Sequence, residues 1–398
     1  MKKTIRDINL KNKKVIMRVD FNVPLNSSME ITDDTRIKET LPTIKYLLEQ
    51  NVKLILMSHL GRPKGQPVDK YSLKSCAKRL SELLNKPVRM AQGCVDMETK
   101  KMAASLNAGE ILLLENLRFN PGEEKNDDAF AKELASMAEV FVQDAFGTVH
   151  RAHASTYGIV KYLPNAACGF LLEKEIVYFD KALKNPAKPF VAILGGAKVS
   201  DKIGVIENLL DKISVLLVGG AMAYTFLKAK DITTGNSLVE HDKIELAKKL
   251  IDKMNEKNVN LMLPLDHIVA DKIDGTGDSR EIHTVDIPDG VIGVDIGTIS
   301  IERAKSVILN AKTIVWNGPM GIFEVDKFAK GTMKIAEFVA EATEKKGAIS
   351  IVGGGDSVAA IKKSGLAGKI SHISTGGGAS LELLEGKELP GIAVLPDK

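Results

Sequence analysis

Short apolar runs alternate with segments of helical periodicity along the whole chain. The runs are KVIMRVD, VKLILMSH, EILLLEN and EVFVQD in the first half and FVAILGG, SVLLVGG, TIVWNGP and AISIVGGG in the second. Each run is continuously apolar rather than alternating, which predicts strands buried on both faces. Because these strands alternate with helices, the pattern predicts the α/β class, with parallel sheets flanked by helices.

One helix is especially clear between the runs, in the segment NDDAFAKELASMAE. Asn126 is predicted as its N-cap, and Phe130, Leu134 and Met137 fall on one face. This apolar face predicts packing against a sheet.

A second helix, GFLLEKEIVYFDKALK, lies near the middle of the chain and is followed by NPAKP, whose prolines end it. We place the domain boundary along this helix. The predicted parts are an N-terminal domain at 1–168, a hinge helix and linker at 169–188, and a C-terminal domain at 189–380.

Length and composition agree with two folded domains. A chain of 398 residues is too long for one ordinary core, and 44% apolar and 27% charged residues are typical of globular proteins. The net charge of +4 is too small over this length to indicate nucleic-acid binding. The sequence predicts no membrane span or leader, and three scattered cysteines indicate buried thiols in the cytoplasm rather than a zinc site.

The residues that follow the first-half strands are charged and rich in arginine. They are Asp20, Asn22, His59, Arg62, Arg118, Asp144, His150 and Arg151. Ligands bind beyond the carboxyl ends of parallel strands, and guanidinium groups form paired hydrogen bonds to phosphate or carboxylate. A single arginine there is usually half of a surface ion pair, but three at equivalent strand ends favour a site for a small anion.

The second-half strands end instead in glycines. These are Gly195, Gly196, Gly219, Gly220, Gly318, Gly353 to Gly355 and Gly376 to Gly378, accompanied by Lys198, Asn317 and Asp356. Glycines let backbone N–H groups approach a phosphate at a helix N-terminus. The chain has no Walker loop and no GxGxxG after a strand, so the pattern predicts a nucleotide site of another type.

Lys198 and Asp356 are the candidate charged groups of this nucleotide site. Lys198 is placed to neutralise a phosphate, although most lysines of such a chain are simply solvated. Asp356 is a candidate ligand of Mg²⁺ on nucleotide phosphates, with a helix N-cap as the alternative. An anion site in one half and a nucleotide site in the other predict phosphoryl transfer across a cleft between closing domains.

The motif HRAH, from His150 to His153, allows three interpretations: a metal pair, an acid/base couple, or an arginine clamp flanked by histidines. No third ligand lies nearby in the sequence, and Mg²⁺ prefers oxygen to imidazole. An acid/base couple would have no proton to move in phosphoryl transfer to a nucleotide. We therefore expect Arg151 to be the important residue and the two histidines to support it.

Several long motifs resemble the phosphoglycerate kinase family, in the order in which that family carries them. They are RVDFNVPL, DDTRI, SHLGRP, LLENLRF, DAFGTVHRAHAST, LGGAKVSDKI, WNGPMGIFE, GGGDS and STGGGASLELLEGKELPG. The resemblance implies two Rossmann-like domains joined by a hinge, with the segment 381–398 packing back onto the N-terminal domain. It also implies a cytoplasmic monomer in glycolysis, without nucleic-acid or membrane partners.

The activity implied by the resemblance is reversible transfer of the acyl phosphate of 1,3-bisphosphoglycerate to MgADP, giving 3-phosphoglycerate and ATP. The implied phosphoglycerate ligands are Asp20, Phe21, Asn22, Arg36, His59, Leu60, Gly61, Arg62, Arg118 and Arg151. The implied nucleotide ligands are Gly196, Lys198, Lys202, Gly220, Gly293, Asn317, Glu324, Gly354, Gly355, Asp356 and Ser357, with Asp356 also on Mg²⁺. The catalytic groups would be Arg36, Lys198, Gly376 and Gly377.

Two other functions are compatible with part of this pattern. One is a binding or regulatory protein that keeps the fold without activity, against which stands the presence of every charged residue expected of the site. The other is a two-domain NAD(P)-dependent dehydrogenase, against which stands the missing GxGxxG.

Overall fold

The structure, a computed structural model, describes all 398 residues and divides into two compact units. The first unit comprises 1–176 and 388–398, and the second comprises 177–387. Each unit is built around its own six-stranded parallel sheet, as the continuous apolar runs predict.

The sheet of the first unit has the order β3-β4-β2-β1-β5-β6. Its strands are β1 (Lys14–Arg18), β2 (Lys53–Met57), β3 (Val88–Met90), β4 (Ile111–Leu113), β5 (Val140–Gln143) and β6 (Ala166–Cys168). Its helices are α1 (Thr35–Glu49), α2 (Lys74–Leu84), α3 (Met97–Ala104), α4 (Asp128–Ala135) and α5 (Ile159–Tyr162). The central strands are buried on both faces, which is why they carry hardly any polar side chains.

The N-cap of α4 differs from the prediction by one residue. The Asp127 carboxylate accepts a hydrogen bond from the Phe130 backbone N–H at 2.8 Å, and the helix begins at Asp128. Asn126 takes a left-handed conformation, with φ of 53°. Asn and Asp are equally good caps, so only the geometry of the preceding turn decides between them.

The second unit contains two sheets. The parallel sheet has the order β15-β14-β13-β7-β8-β9, and a three-stranded antiparallel sheet has the order β11-β10-β12. The strands are β7 (Phe190–Leu194), β8 (Val215–Val218), β9 (Asn260–Met262), β10 (His267–Ala270), β11 (Ser279–Ile282), β12 (Ile292–Ile296), β13 (Thr313–Asn317), β14 (Ile349–Val352) and β15 (His372–Ile373). The antiparallel sheet is not predicted by the apolar pattern, because β11 is short and partly exposed and lacks an apolar run.

Helix α6 (Phe170–Leu183) spans the division between the units, where the sequence predicts a single helix. The helices of the second unit are α7 (Ile203–Leu209), α8 (Met222–Ala229), α9 (Ile244–Glu256), α10 (Thr298–Asn310), α11 (Lys330–Lys346), α12 (Gly355–Lys363) and α13 (Gly377–Leu384). The short helix α14 (Pro390–Ala393) follows in the returning segment. None of the helices combines the length and the apolar character needed to cross a bilayer.

The chain returns to the first unit later than the sequence analysis places it. The expected segment begins at residue 381, whereas residues 381–387 belong to the second unit. There the Asn208 side chain of α7 donates to the Leu384 carbonyl at 2.9 Å and so ties α13 to α7. The final residues join the first unit through backbone bonds such as Gly391 to Val149 at 2.8 Å and Lys3 to Pro396 at 2.9 Å.

Asp144, one of the charged residues at a strand end, is fully buried beside the start of α6. Its Oδ1 accepts from the Leu172 backbone N–H at 3.0 Å, while Oδ2 has no hydrogen-bond partner. Burial raises the pKa of this carboxyl to about 7, although hydrogen bonds from Leu172 and Thr43 oppose the shift. Asp144 therefore belongs to the packing of the helix rather than to an exposed ligand site.

This raised pKa predicts that Asp144 makes the first unit less stable as the pH rises. The folded state holds the proton up to about pH 7, while the unfolded state releases it near 3.8, so stability falls across that window. We expect Asp144→Asn to have a higher free energy of unfolding in urea than the wild type at pH 8, by at most about 4 kcal/mol. The advantage should shrink as the pH falls towards 4.

The control for this measurement is Asp252→Asn, which alters an exposed carboxyl group on α9. Both variants are unfolded in urea between pH 4 and 8 and followed by far-ultraviolet circular dichroism. If the difference between Asp144→Asn and the wild type did not change with pH, Asp144 would be ionised throughout, and the assignment would be wrong.

Candidate functional site

The predicted anion site lies at the carboxyl ends of the first unit's central strands, where direct contacts join several of its residues. Arg36, in the first turn of α1, donates to the Asp20 carboxylate at 2.7 Å. The Asn22 side-chain oxygen accepts from the Gly61 N–H at 2.9 Å, and Arg118 donates to the Gly61 carbonyl at 2.8 Å. The loop after β2 is therefore held from two sides.

His59 shows how closely the cationic groups are gathered. Its Nδ1 lies 3.2 Å from an Arg18 nitrogen and 4.0 Å from the Asp20 carboxylate. Burial, followed by the charges of Arg18, Arg118, Arg36 and Arg151, holds the pKa of this imidazole well below its usual range. His59 is therefore neutral at neutral pH. Several guanidinium groups around one neutral imidazole produce a positive electrostatic potential. This potential favours the binding of an anionic ligand.

The residues of this predicted set differ in how far their side chains are exposed. Phe21 and Leu60 are buried and offer only their backbone to a ligand, and the Phe21 N–H already donates to Ser58 at 2.8 Å. Arg62 is exposed, and its charge is near enough to lower the pKa of Arg118 slightly, after the larger effect of burial.

The HRAH segment places Arg151 against its neighbour. The Arg151 Nε donates to His150 Nε2 at 3.1 Å, so this histidine nitrogen acts as an acceptor. Burial, and then the charge of Arg151, lowers the pKa of His150. Burial, reinforced by Arg18, lowers the pKa of His153 to about 3. Both imidazoles are neutral, and the contact is the one expected of a histidine that supports Arg151.

A buried polar network beneath this site was missed by the sequence analysis. Arg18 is 1% exposed and donates through Nε to the Ser155 hydroxyl at 2.8 Å. Ser155 in turn donates to Glu123, which is also fully buried, at 2.6 Å. A charged residue inside the run KVIMRVD is a usable signal for Arg18, but nothing local separates Glu123 from the exposed Glu124 beside it.

The glycine-rich site is a cavity of about 390 Å³ in the second unit. Its lining residues are Gly195, Gly196, Ala197, Lys198, Asp201, Lys202, Asn317, Gly318, Gly354, Gly355, Asp356, Ser357, Gly377, Gly378 and Leu381. Helices α12 and α13 both begin at this cavity, so their positive ends favour an anion such as phosphate there.

Close backbone approach explains the glycines at two positions. A Cβ at Gly195 would lie 2.0 Å from the Pro319 carbonyl oxygen, and one at Gly220 would lie 2.6 Å from the Gly196 backbone. Gly220 also has φ of 66°, where other residues are strained. The ends of β7 and β8 can therefore pack this tightly only with glycine.

The two lysines of the cavity differ in their surroundings. The Lys202 ammonium group donates to the Asn317 side chain, and burial lowers its pKa while Asp201 and Asp356 act in the opposite direction. Lys198 is exposed at the cavity. Lys202 is thus fixed in place, whereas Lys198 is able to reach a ligand.

Asp356 is an exposed residue in the first turn of α12, whose N-cap is Gly354. Two carboxylates, those of Asp201 and Asp356, line the cavity, which matches the preference of Mg²⁺ for one or two protein carboxylates together with phosphate oxygens. The donor set therefore fits magnesium, and Asp356 is the residue that would hold it.

Four residues that the resemblance assigns to the second unit lie outside the cavity lining, as do the strand-end glycines Gly219 and Gly353. Gly220 packs on Gly196, and Gly376 is the N-cap of α13, its N–H donating to Ser374 at 3.4 Å. Gly293 lies on β12, and Glu324 is exposed.

Comparison with known proteins gives concordant matches along the chain. The family model described as Phosphoglycerate kinase matches residues 5–387. The phosphoglycerate kinase of Chlorobium limicola is 57% identical over 396 residues, covering 100% of both chains. That of Fervidobacterium nodosum is 57% identical over 399 residues, covering 100% of this chain and 99% of the relative.

Solved structures agree with these matches. Phosphoglycerate kinase from Coxiella burnetii superimposes with a TM-score of 0.90 at 42% identity, covering 99% of this chain and 98% of that one. The enzyme from Pyrococcus horikoshii OT3 gives a TM-score of 0.81 at 33% identity, with 98% of each chain covered.

Proposed function

The chain belongs to the phosphoglycerate kinase family, kinases with a carboxyl group as acceptor, and we propose that it performs this reaction with Mg²⁺ bound to the nucleotide. The reaction is transfer of the acyl phosphate of 1,3-bisphosphoglycerate to ADP, giving 3-phosphoglycerate and ATP reversibly. The observation that carries the proposal is the pairing of an arginine-lined site in one unit with a glycine-lined cavity in the other. The family name implies a role in glycolysis.

The phosphoglycerate is assigned to the first unit. Arg36, Arg62, Arg118 and Arg151 would bind its phosphate and carboxylate groups, because guanidinium matches both geometrically. Asp20 orients Arg36 through their 2.7 Å contact. The other assigned residues are Phe21, Asn22, His59, Leu60 and Gly61, of which Phe21 and Leu60 would act through their backbone.

The nucleotide is assigned to the second unit. Its phosphates would lie at the N-termini of α12 and α13, with Lys198 and Lys202 beside them. The other assigned residues are Gly196, Gly220, Gly293, Asn317, Glu324, Gly354, Gly355, Asp356 and Ser357. Asp356 would hold Mg²⁺, which neutralises phosphate charge when bound.

The chemistry requires positioning and charge rather than a general base. The acyl phosphate is already a high-energy donor, so the protein has to align the ADP oxygen and stabilise the moving phosphoryl group. We assign this charge stabilisation to Arg36 and Lys198, with backbone N–H groups of Gly376 and Gly377 in addition. Because the two substrates are assigned to different units, direct in-line transfer also predicts closure of the domains during turnover.

A coupled assay tests the proposed function. We expect ATP to form from ADP and 1,3-bisphosphoglycerate, activity to disappear on removal of divalent cations with EDTA, and Mg²⁺ to restore it. MgADP should raise the melting temperature, whereas NAD should not. Binding of both substrates without turnover would favour a regulatory protein, and thermal stabilisation by NAD would favour a dehydrogenase.

The remaining assignments concern the state of the protein in the cell. We propose a cytoplasmic monomer without nucleic-acid or membrane partners. All three cysteines are free and buried, which fits a reducing compartment.

A further inference from the structure

A second cavity, of about 560 Å³, lies in the first unit and contains none of the residues assigned above. Its walls include the segment after β3 and Glu115, which follows β4, so it lies beyond the carboxyl ends of these strands. Open parallel sheets bind ligands beyond the carboxyl ends of their strands, and the volume is within the usual range for small molecules, roughly 300 to 1,000 Å³.

The charge of this cavity is opposite to that of the arginine site. Three carboxylates, from Asp69, Asp96 and Glu115, line it together with one ammonium group, from Lys74. The lining therefore carries a formal excess of two negative charges. A cation with two positive charges would balance it.

Two of the carboxylates, those of Glu115 and Asp96, accept hydrogen bonds from neutral donors rather than from cations. Glu115 is 7% exposed and accepts from the Leu73 N–H at 3.0 Å, the Asn116 N–H at 2.7 Å and the Ser72 hydroxyl at 2.8 Å. Asp96 accepts from the Thr99 N–H at 2.9 Å and hydroxyl at 2.7 Å. Backbone N–H groups at a helix start offset only about half a charge, so negative charge remains in the cavity.

Apolar side chains complete the lining. Val68, Val95 and Phe119 lie in the same cavity as the carboxylates. A ligand that fits this mixture has an aliphatic body as well as cationic ends. A bare metal ion satisfies the charges but leaves the apolar walls without a partner.

We propose that the cavity bounded by Asp69, Asp96 and Glu115 binds an aliphatic diamine, with its ammonium groups on the carboxylates and its methylene chain against Val68, Val95 and Phe119. The two ammonium groups match the excess of two negative charges. Each ammonium group also donates three hydrogen bonds, for which the side chains of Gln92 and Asn120 at the rim offer further acceptors.

The cavity is connected to the loop that the phosphoglycerate site uses. Asn116, next to Glu115, donates from Nδ2 to the Leu60 carbonyl at 2.7 Å and to the Tyr71 carbonyl at 2.9 Å. A ligand on Glu115 therefore adjoins the support of the loop that carries Gly61. Neutralising the cavity also removes repulsion on an anionic substrate nearby. Both effects predict tighter phosphoglycerate binding, by about threefold for two charges acting through solvent.

Titration calorimetry on the full chain with 1,5-diaminopentane tests the site directly. We expect saturable binding that 1,5-pentanediol, of similar length but uncharged, does not reproduce. The double variant Asp69→Asn/Asp96→Asn should weaken binding by about tenfold or more. Asn caps helices as well as Asp does, so α3 should be preserved. The control Asp242→Asn/Asp252→Asn removes two exposed carboxyl groups of the other unit and should bind like the wild type.

Enzyme kinetics test whether a ligand in this cavity strengthens phosphoglycerate binding. This test rests on the proposed function. Saturating diamine should lower the KM for 3-phosphoglycerate about threefold and leave the KM for ATP unchanged, an effect that the Asp69→Asn/Asp96→Asn variant loses. No saturable heat, equal binding by the double variant, or equal binding of the diol would overturn the site. An unchanged KM would overturn the connection. The calorimetry needs no turnover, so its failure is distinguishable from failure of the proposed function.

Discussion

Replacement of Arg36 by methionine is expected to lower kcat by about a thousandfold, equivalent to about 4 kcal/mol of transition-state stabilisation. Methionine keeps the length and the apolar stem but removes the charge assigned to the moving phosphoryl group. The chain should still fold, at a cost of at most about 3 kcal/mol, because the Arg36 side chain is 33% exposed although that of Asp20, its partner, is only 8% exposed. Steady-state kinetics and a urea melt measure the two effects.

The chain offers a matched control in Arg79. It also pairs with an aspartate, Asp34, at 2.8 Å, and its side chain is 35% exposed, but it lies on α2 and is not one of the assigned ligands. Arg79→Met should keep kcat within about twofold. Arg36→Lys should recover part of the activity, because it restores the charge but not the planar pair of donors. Equal kcat values for Arg36→Met and Arg79→Met would refute the assigned role.

Lys198→Ala is expected to lower kcat by about a hundredfold to a thousandfold, with a much smaller change in the KM for MgADP. Lys198 is the exposed lysine of the nucleotide cavity, and an interaction made mainly in the transition state affects turnover more than binding. Lys202→Ala should act differently. Its ammonium group is fixed on Asn317, so its loss should chiefly raise the KM for the nucleotide.

The control for these variants is Lys249→Ala, an exposed lysine on α9 outside the cavity, which should behave like the wild type. Lys198→Arg should retain more activity than the alanine variant, because it keeps a cation within reach of the phosphate. Turnover of Lys198→Ala within a few fold of the wild type would remove this residue from the transition state.

Much of the fold could be predicted because its signals are local. KVIMRVD became β1 and FVAILGG became β7, since a continuous apolar run has few other solutions in a parallel sheet. The helix over GFLLEKEIVYFDKALK was also found, as α6. The antiparallel sheet around β10 was missed, because its edge strand β11 is partly exposed and carries no such run.

The part of the candidate site that lies at the ends of strands could be predicted from the sequence. Arg118 could be found because it follows an apolar run, and the structure joins it to Gly61. Glu123 could not be found, because its burial depends on Ser155, which lies 32 residues further along the chain. The same limit applies to Glu115, whose sequence position resembles that of Arg118 although it faces a separate cavity.

The sequence by itself therefore determined the α/β class, the strand ends that carry chemistry, and the kind of charge at each. Only the tertiary structure decided which of these ends meet. The first sheet has the strand order β3-β4-β2-β1-β5-β6, so strands distant in the chain become neighbours. In this arrangement Arg36 contacts Asp20, whereas Asp144 packs against α6. The physical reason is that strand and helix patterns arise from neighbouring residues, whereas burial and charge partners arise from the order in which strands pair.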